Sequence, residues 1–296
     1  MADLASLSVV RTILDKYKFH FRRAWGQNFL VDGNIVRKIV QAAGLCADDL
    51  VVEIGPGIGT LTAALAARAG RVVAVELDRA LLPVLRETMS GLDNVSVIAG
   101  DAMRVDLDRL VSDTVSGASE RPYKLVANLP YYITTPLLMR LLQQKYRIGL
   151  MVVMVQQEVA ARLTAAPGGK DYGALSVAVQ YYTEPEVLFR VPRTVFYPRP
   201  EVDSAVVRLK KRFAPPVNIP DEELFFALVR GAFGQRRKTA ANALAGGAAL
   251  PGWSRGDWEQ ALAAAGIDPR RRGETLGLEE FAALTRVCAR RENGGR

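Results

Sequence analysis

Residues 50–59, Leu-Val-Val-Glu-Ile-Gly-Pro-Gly-Ile-Gly, constrain the fold more than any other stretch of the chain. A short β-branched run ends at the first of three alternating glycines, and residues 60–69 are then rich in Ala and Leu. That order predicts a buried strand, a sharp glycine turn and a helix. The pattern repeats: 71–77 reads as strand, 79–89 as helix, and 95–99 and 124–127 as two more strands. Pro136 suits the first turn of a helix over 137–144, and 150–155 is the most hydrophobic strand pattern present. Helices alternating with buried apolar strands predict an α/β fold, a doubly wound, Rossmann-like parallel sheet with ligands at the carboxyl ends of its strands.

Residues 173–182 carry conflicting signals. Val and Tyr favour strand, whereas Leu175, Ala178, Val179 and Tyr182 share one helical face, and helix is the reading adopted. Strands over 187–191 and 205–209 flank the loop Phe196-Tyr197-Pro198-Arg199-Pro200, which suits a final hairpin. Pro215, Pro216 and Pro220 then interrupt all periodicity. Beyond them Asp221 caps a helix through Phe233, and 240–244, 257–265 and 279–287 read as further helices. The expected domains are residues 1–213, with an N-terminal helical arm over 1–45, and a small all-helical domain over 214–296 with a frayed end.

Composition narrows the setting. A hydrophobic fraction of 49 % is ample for a packed core, and a net charge of +8 suits a polyanionic partner without requiring one. Cys46 and Cys288 have no Cys or His at ligand spacing, so neither a disulfide framework nor a zinc site is expected. No run approaches the roughly 18 apolar residues of a membrane span, and the N-terminus lacks the order of a secretory signal. A cytoplasmic protein starting at or near Met1, with no membrane association, is expected.

Gly55, Gly57 and Gly59 let a ligand approach the backbone where the strand turns. By themselves they fit NAD, FAD or S-adenosylmethionine, or a tight turn with no ligand. Glu76 ends the next strand, where a carboxylate can accept from both hydroxyls of a ribose, as it also does for NAD. The third strand runs into Gly100-Asp101-Ala102, where Asp101 can accept from an adenine amino group while the adjacent backbone addresses the ring edge. Acids on successive strand ends leave no cradle for a pyrophosphate, and the spacing is G-x-G-x-G rather than G-x-G-x-x-G. S-adenosylmethionine is therefore favoured over a dinucleotide, with no metal.

Asn128-Leu129-Pro130-Tyr131 follows the fourth strand and should reach the same sheet edge. An exocyclic amine on a base is a poor nucleophile because its lone pair is delocalised into the ring. Two acceptors holding its N–H groups favour the pyramidal geometry that attacks a methyl. The Asn128 side-chain oxygen and a main-chain carbonyl from Leu129 or Pro130 can supply them. Tyr131 can stack on a base drawn out of its helix. A general base is dispensable, because the methylated ammonium is acidic enough to lose its proton after transfer. The one histidine, His20, lies outside these strand ends and reads as surface or structural.

With these residues in order, the chain resembles the ribosomal RNA adenine dimethyltransferases, and among them the bacterial small-subunit type. The likeness covers nearly the whole chain. Gly26-Gln27-Asn28-Phe29-Leu30 is similar to the family's N-terminal cofactor motif, 53–62 to its glycine loop and Val75-Glu76-Leu77-Asp78 to its ribose site. Gly100-Asp101-Ala102, 128–133 and 196–204 follow in the family's order, then Gln235-Arg236-Arg237-Lys238-Thr239, 266–269 and 272–274. The resemblance implies that Asn28, Leu30, Gly55, Gly57, Glu76, Asp101, Ala102 and Asn128 contact S-adenosylmethionine. It also implies that Phe196, otherwise a core aromatic, covers the face of the target base opposite Tyr131. The implied substrate is a pair of adjacent adenines in the 3′-terminal hairpin of small-subunit (16S) rRNA, each dimethylated at N6 by a monomer acting on an assembling subunit. Trp25 and Gly273 depart from the family's usual residues.

Basic residues cluster as Arg22-Arg23, Arg208 with 210–212, Arg236-Arg237-Lys238 and Arg270-Arg271-Arg272. Such runs are often solvated faces; beside a site for a nucleic-acid base, 235–238 is the group expected to meet phosphate. Three alternatives stay open. These are a large-subunit adenine methyltransferase of the macrolide-resistance type, a non-catalytic RNA-binding or assembly factor on the same scaffold, and DNA adenine methylation. Intact Asn128 and Tyr131 argue against the second, and no target-recognition domain is evident for the third.

Overall fold

The computed structural model describes residues 4–22, 26–247 and 249–294; the expectations for Trp25, Arg23 and the terminal Gly295-Arg296 fall outside them. Among the described residues the strands are β1 (Phe29–Leu30), β2 (Leu50–Ile54), β3 (Arg71–Glu76), β4 (Val95–Ala99), β5 (Tyr123–Asn128), β6 (Ile148–Gln156), β7 (Thr183–Val191), β8 (Phe196–Tyr197) and β9 (Ser204–Lys211). Seven of them form one sheet in the order β4-β3-β2-β5-β6-β9-β7, while β1 pairs with β8 in a separate ribbon. The β4, β3, β2, β5 and β6 strands are mutually parallel, and β9 runs antiparallel to β6. All five residues of β2 are buried. Covering on both faces explains why these strands read as continuous apolar runs rather than as alternations.

The chain builds β2, β3 and β4 outward in one direction, then returns across β2 to add β5 and β6 on the other side. Strand order therefore reverses between β2 and β5, and the crevice beyond their carboxyl ends is where such a sheet takes a ligand. Helices α1 (Leu7–Lys16), α2 (Gly33–Ala42), α3 (Thr60–Ala66), α4 (Leu82–Thr88), α5 (Leu107–Thr114) and α6 (Thr134–Gln143) accompany this half of the chain. The Asp32 carboxylate accepts from the Asn34 and Ile35 amides and starts α2, whose buried Ile35, Val36, Ile39 and Val40 enter the core with Val51, Val126 and Val152. Val10 and Leu14 of α1 pack with Phe29, Ile58, Leu81 and Val84, so the N-terminal arm is part of the core beneath the glycine turn.

Contacts divide the chain into two compact units, Met1–Ala160 with Glu184–Lys211, and Ala161–Thr183 with Arg212–Arg296. A break at Lys211/Arg212 lies beside the proline-marked boundary, but Ala161–Thr183 groups with the tail rather than with the unit that holds most of the seven-stranded sheet. The division is crossed by α7 (Gln157–Thr164).

The second unit holds α8 (Ala174–Tyr182), α9 (Glu222–Phe233), α10 (Ala240–Ala245), α11 (Arg255–Ala264) and α12 (Leu278–Gly294). The ambiguous 173–182 stretch is helical because its aromatic end has helical partners: Tyr181 meets Phe225 at 5.3 Å between ring centroids and Tyr182 stacks on Phe226 at 5.5 Å. Asp221 caps α9 through the Leu224 amide, and Ser254 with Asp257 forms a capping box on α11. Gly273 is where two backbones cross closely, since a Cβ there would stand 2.4 Å from the Ala232 carbonyl oxygen.

Candidate active site

Four of the sheet's parallel strands end in one cleft. It is lined by Gly26, Gln27, Asn28 and Phe29 from the N-terminal segment, Ile54, Gly55 and Gly57 after β2, and Glu76 and Leu77 after β3. Gly100, Asp101 and Ala102 follow β4, and 128–133 follow β5. The glycine turn is shaped by what touches it. Gly57 has φ +63°, and a Cβ there would stand 3.0 Å from the Phe29 ring. Glycine thus satisfies both a left-handed backbone and a close approach.

Glu76 is 6 % exposed. Its Oε1 accepts from the Asp78 amide at 2.7 Å and its Oε2 from the Gly57 amide at 3.2 Å. Burial outweighs these two bonds and pushes its carboxyl up to about 7. A buried carboxylate so short of donors fits a ligand bringing two hydroxyls. Asp101 is half-open to the cleft, with Oδ1 accepting from the Met103 amide at 2.8 Å. Gln27 donates to Asp78 at 2.8 Å and accepts from the Arg22 amide at 2.9 Å, which ties the N-terminal segment to the end of β3.

Asn128 donates its Nδ2 to the Asn28 carbonyl at 3.2 Å. That bond assigns the amide's orientation and leaves Oδ1 as the acceptor. Leu129 is held by its amide to the Met154 carbonyl at 3.0 Å. The Pro130 carbonyl is engaged twice, by the Ile133 amide at 3.2 Å and the Thr134 hydroxyl at 2.9 Å. Of the two carbonyls left open by sequence, only that of Leu129 has no donor among the described residues. Tyr131 lines the cleft, and burial raises its phenol above the ordinary value, so it stays protonated.

The structure brings together Asn28, Gly55, Gly57, Glu76, Asp101, Ala102, Asn128, Leu129, Pro130 and Tyr131. It does not bring Leu30 or Phe196 to the cleft. These two are register partners in the β1–β8 ribbon, 5 % and 4 % exposed, and pack in the core with Val191 and Val206. Both side chains are thus buried among apolar neighbours in this conformation.

Tyr132, 45 % exposed and also lining the cleft, is not among the site residues expected from sequence, although it belongs to the 128–133 segment and is the motif's second aromatic. His20 is exposed and absent from the lining. In the helical unit, Arg236 is committed to structure. It donates to the Lys170 and Tyr172 carbonyls at 2.9 and 3.0 Å and pairs with Glu274 at 3.3 Å. Arg237 and Lys238 are exposed and have no ion-pair partner among the described residues.

Known proteins with this arrangement decide the family. The model of the family described as ribosomal RNA adenine dimethylase matches residues 18–251. The chain belongs to the ribosomal RNA adenine dimethylase family. Relatives within reach of this dimethylase include the ribosomal RNA small subunit methyltransferase A of Pelotomaculum thermopropionicum, 60 % identical over 287 residues covering 96 % of this chain and 97 % of that one. The protein of the same name from Moorella thermoacetica is 60 % identical over 268 residues, covering 90 % and 92 %. Among solved structures, the 23S rRNA methyltransferase ErmE superposes with a TM-score of 0.64 at 29 % identity, covering 88 % of this chain and 98 % of that one. A dimethyladenosine transferase from Plasmodium falciparum superposes with a TM-score of 0.72 at 24 % identity, covering 90 % and 98 %, and shares the fold. Both agree with a Rossmann-like dimethylase sheet followed by helices.

Proposed function

We propose that the chain dimethylates the N6 amino groups of two adjacent adenines in the 3′-terminal hairpin of small-subunit rRNA during assembly of that subunit, using S-adenosylmethionine. The observation that carries the reading is the Asn128 amide, turned by the Asn28 carbonyl so that Oδ1 is an open acceptor next to the unengaged Leu129 carbonyl. When bound, S-adenosylmethionine supplies a methyl made electrophilic by its sulfonium. Glu76 accepts the ribose hydroxyls, and Asp101 with the Ala102 backbone addresses the adenine end of the same ligand.

Asn128 Oδ1 and the Leu129 carbonyl hold the two N–H groups of the target amine and favour a pyramidal nitrogen with its lone pair turned toward the methyl. Tyr131 stacks on the base, a contact worth about 1–3 kcal/mol in such sites. Alignment rather than proton transfer then supplies most of the acceleration. No residue needs to act as a base. After transfer the amine retains one N–H for the same acceptors, which is compatible with a second methylation.

The names borne by the relatives at 60 % identity support the small over the large subunit, against a large-subunit enzyme matched at 29 %. An intact acceptor pair supports activity over a purely binding role. The reading carries a monomer in the cytoplasm, where subunits assemble, with residues 214–296 contacting RNA through Arg237 and Lys238. Labelled S-adenosylmethionine incubated with undermethylated subunits tests it. Label is expected on the small subunit; label on the large one reverses the choice, and label on neither removes the activity.

A further inference from the structure

Tyr131 needs only an aromatic face to stack, yet its hydroxyl is engaged. The phenol oxygen lies 2.6 Å from Ser204 Oγ, and Ser204 is fully buried at 0 % exposure. We infer that Ser204 is a positioning residue for methyl transfer, a fixed anchor that holds the far end of the Tyr131 ring in the plane that a target base stacks against. The inference rests on the stacking role proposed for Tyr131.

The anchor is itself rigidly held. Ser204 opens β9 and is the register partner of Gln156, the last pair of an antiparallel ladder that runs back to Leu150 and Lys210. Its neighbour Asp203 fixes the approach from the other side. The Asp203 carbonyl accepts from the Gln157 amide at 3.0 Å, and its carboxylate accepts from the Arg193 amide at 2.8 Å and from Arg190 Nε at 2.9 Å. At the near end, Pro130 sets the turn in which Tyr131 begins, and the Pro130 carbonyl is bonded to both Ile133 and Thr134. With the backbone pinned at one end of the side chain and the hydroxyl at the other, the ring loses its freedom to swing about χ1. A residue that stacks by chance of packing has no such second tether. Ser204 does not line the cleft, so it acts through Tyr131 and touches neither cofactor nor base.

A buried hydroxyl pair leaves a distinctive mark on kinetics. Removing either partner frees the ring and leaves the other hydroxyl unsatisfied, whereas removing both adds little further loss. Methyl transfer to undermethylated small subunits and cofactor affinity by calorimetry are measured for Ser204→Ala, Tyr131→Phe, the double variant and Tyr131→Ala. The expected result is a kcat lowered about 3- to 10-fold in each of the first two, an unchanged cofactor Kd, and a double variant no slower than the slower single. Wild-type kcat in either single variant, or losses that multiply in the double, overturns the inference. Should Ser204→Ala fail to fold, Tyr131→Phe decides it, because that variant deletes the same bond from the cleft side. The stacking role is judged separately: wild-type kcat in Tyr131→Ala removes it, whereas a large loss there with a silent Tyr131→Phe removes only the anchor.

Discussion

A carboxylate as buried as Glu76 is unstable in its charged form unless donors surround it, and the protein itself gives it two main-chain amides. Its carboxyl sits at about 7, above the ordinary 4.5, so between those values the folded chain binds more protons than the unfolded one. Stability from this group therefore falls as pH rises through that window. Cofactor binding has the opposite sign, because ribose hydroxyls are donors to the ionised form. Affinity for S-adenosylmethionine, measured by calorimetry, is expected to be up to about 10-fold weaker at pH 6 than at pH 8, and Glu76→Gln is expected to flatten the profile. A pH-independent Kd in the native protein would contradict this. At this scale the sequence shows which residues matter but not how they point. The direction of the Asn128 amide depends on a carbonyl 100 positions earlier, and the choice of Leu129 over Pro130 depends on the turn that Ile133 and Thr134 close.

Elements were legible where burial gives them a simple pattern. Strands β2 and β3, covered on both faces, read as unbroken apolar runs, and α9 announces itself through Asp221 and its apolar faces. By contrast α5 has a buried stripe of only Leu107 and Val111, and α7 begins at Gln157, directly after β6 ends, without a breaker. Such helices are short on signal, and tertiary packing decides them. The β1–β8 ribbon is the least legible element, since two-residue strands have no periodicity. It buries Phe196 in the core beside Leu30. Phe196→Leu should accordingly lower Tm by several degrees while leaving kcat within about 3-fold, read by calorimetry and methyl transfer together. An unchanged Tm with a 100-fold loss of kcat would return Phe196 to the base.

For the molecule as a whole, the +8 charge becomes informative only after its members are sorted. Arg236 buttresses its own unit, Arg271 pairs with Glu280 and Arg270 with Asp268, which leaves Arg237 and Lys238 as the members of the 236–238 run with no ion-pair partner among the described residues. Replacing both by Ala should weaken binding to small subunits and reduce the slope of log K against log salt by about 2, whereas an unchanged slope would place the phosphate contacts elsewhere. The sheet, its switch point and the cofactor-side residues were readable because they lie near strand ends in chain order; contacts such as Tyr131 with Ser204, 73 positions apart, were not. The central claim is that Asn128 and Leu129 present adenine N6 of small-subunit rRNA to a methyl donor. Mass spectrometry of nucleosides from undermethylated small subunits treated with the native protein or with Asn128→Ala tests it most directly. The account predicts N6,N6-dimethyladenine with the native protein and a loss of at least about 100-fold with the variant. Equal yields from the two proteins, or methylation of a different base, would contradict it.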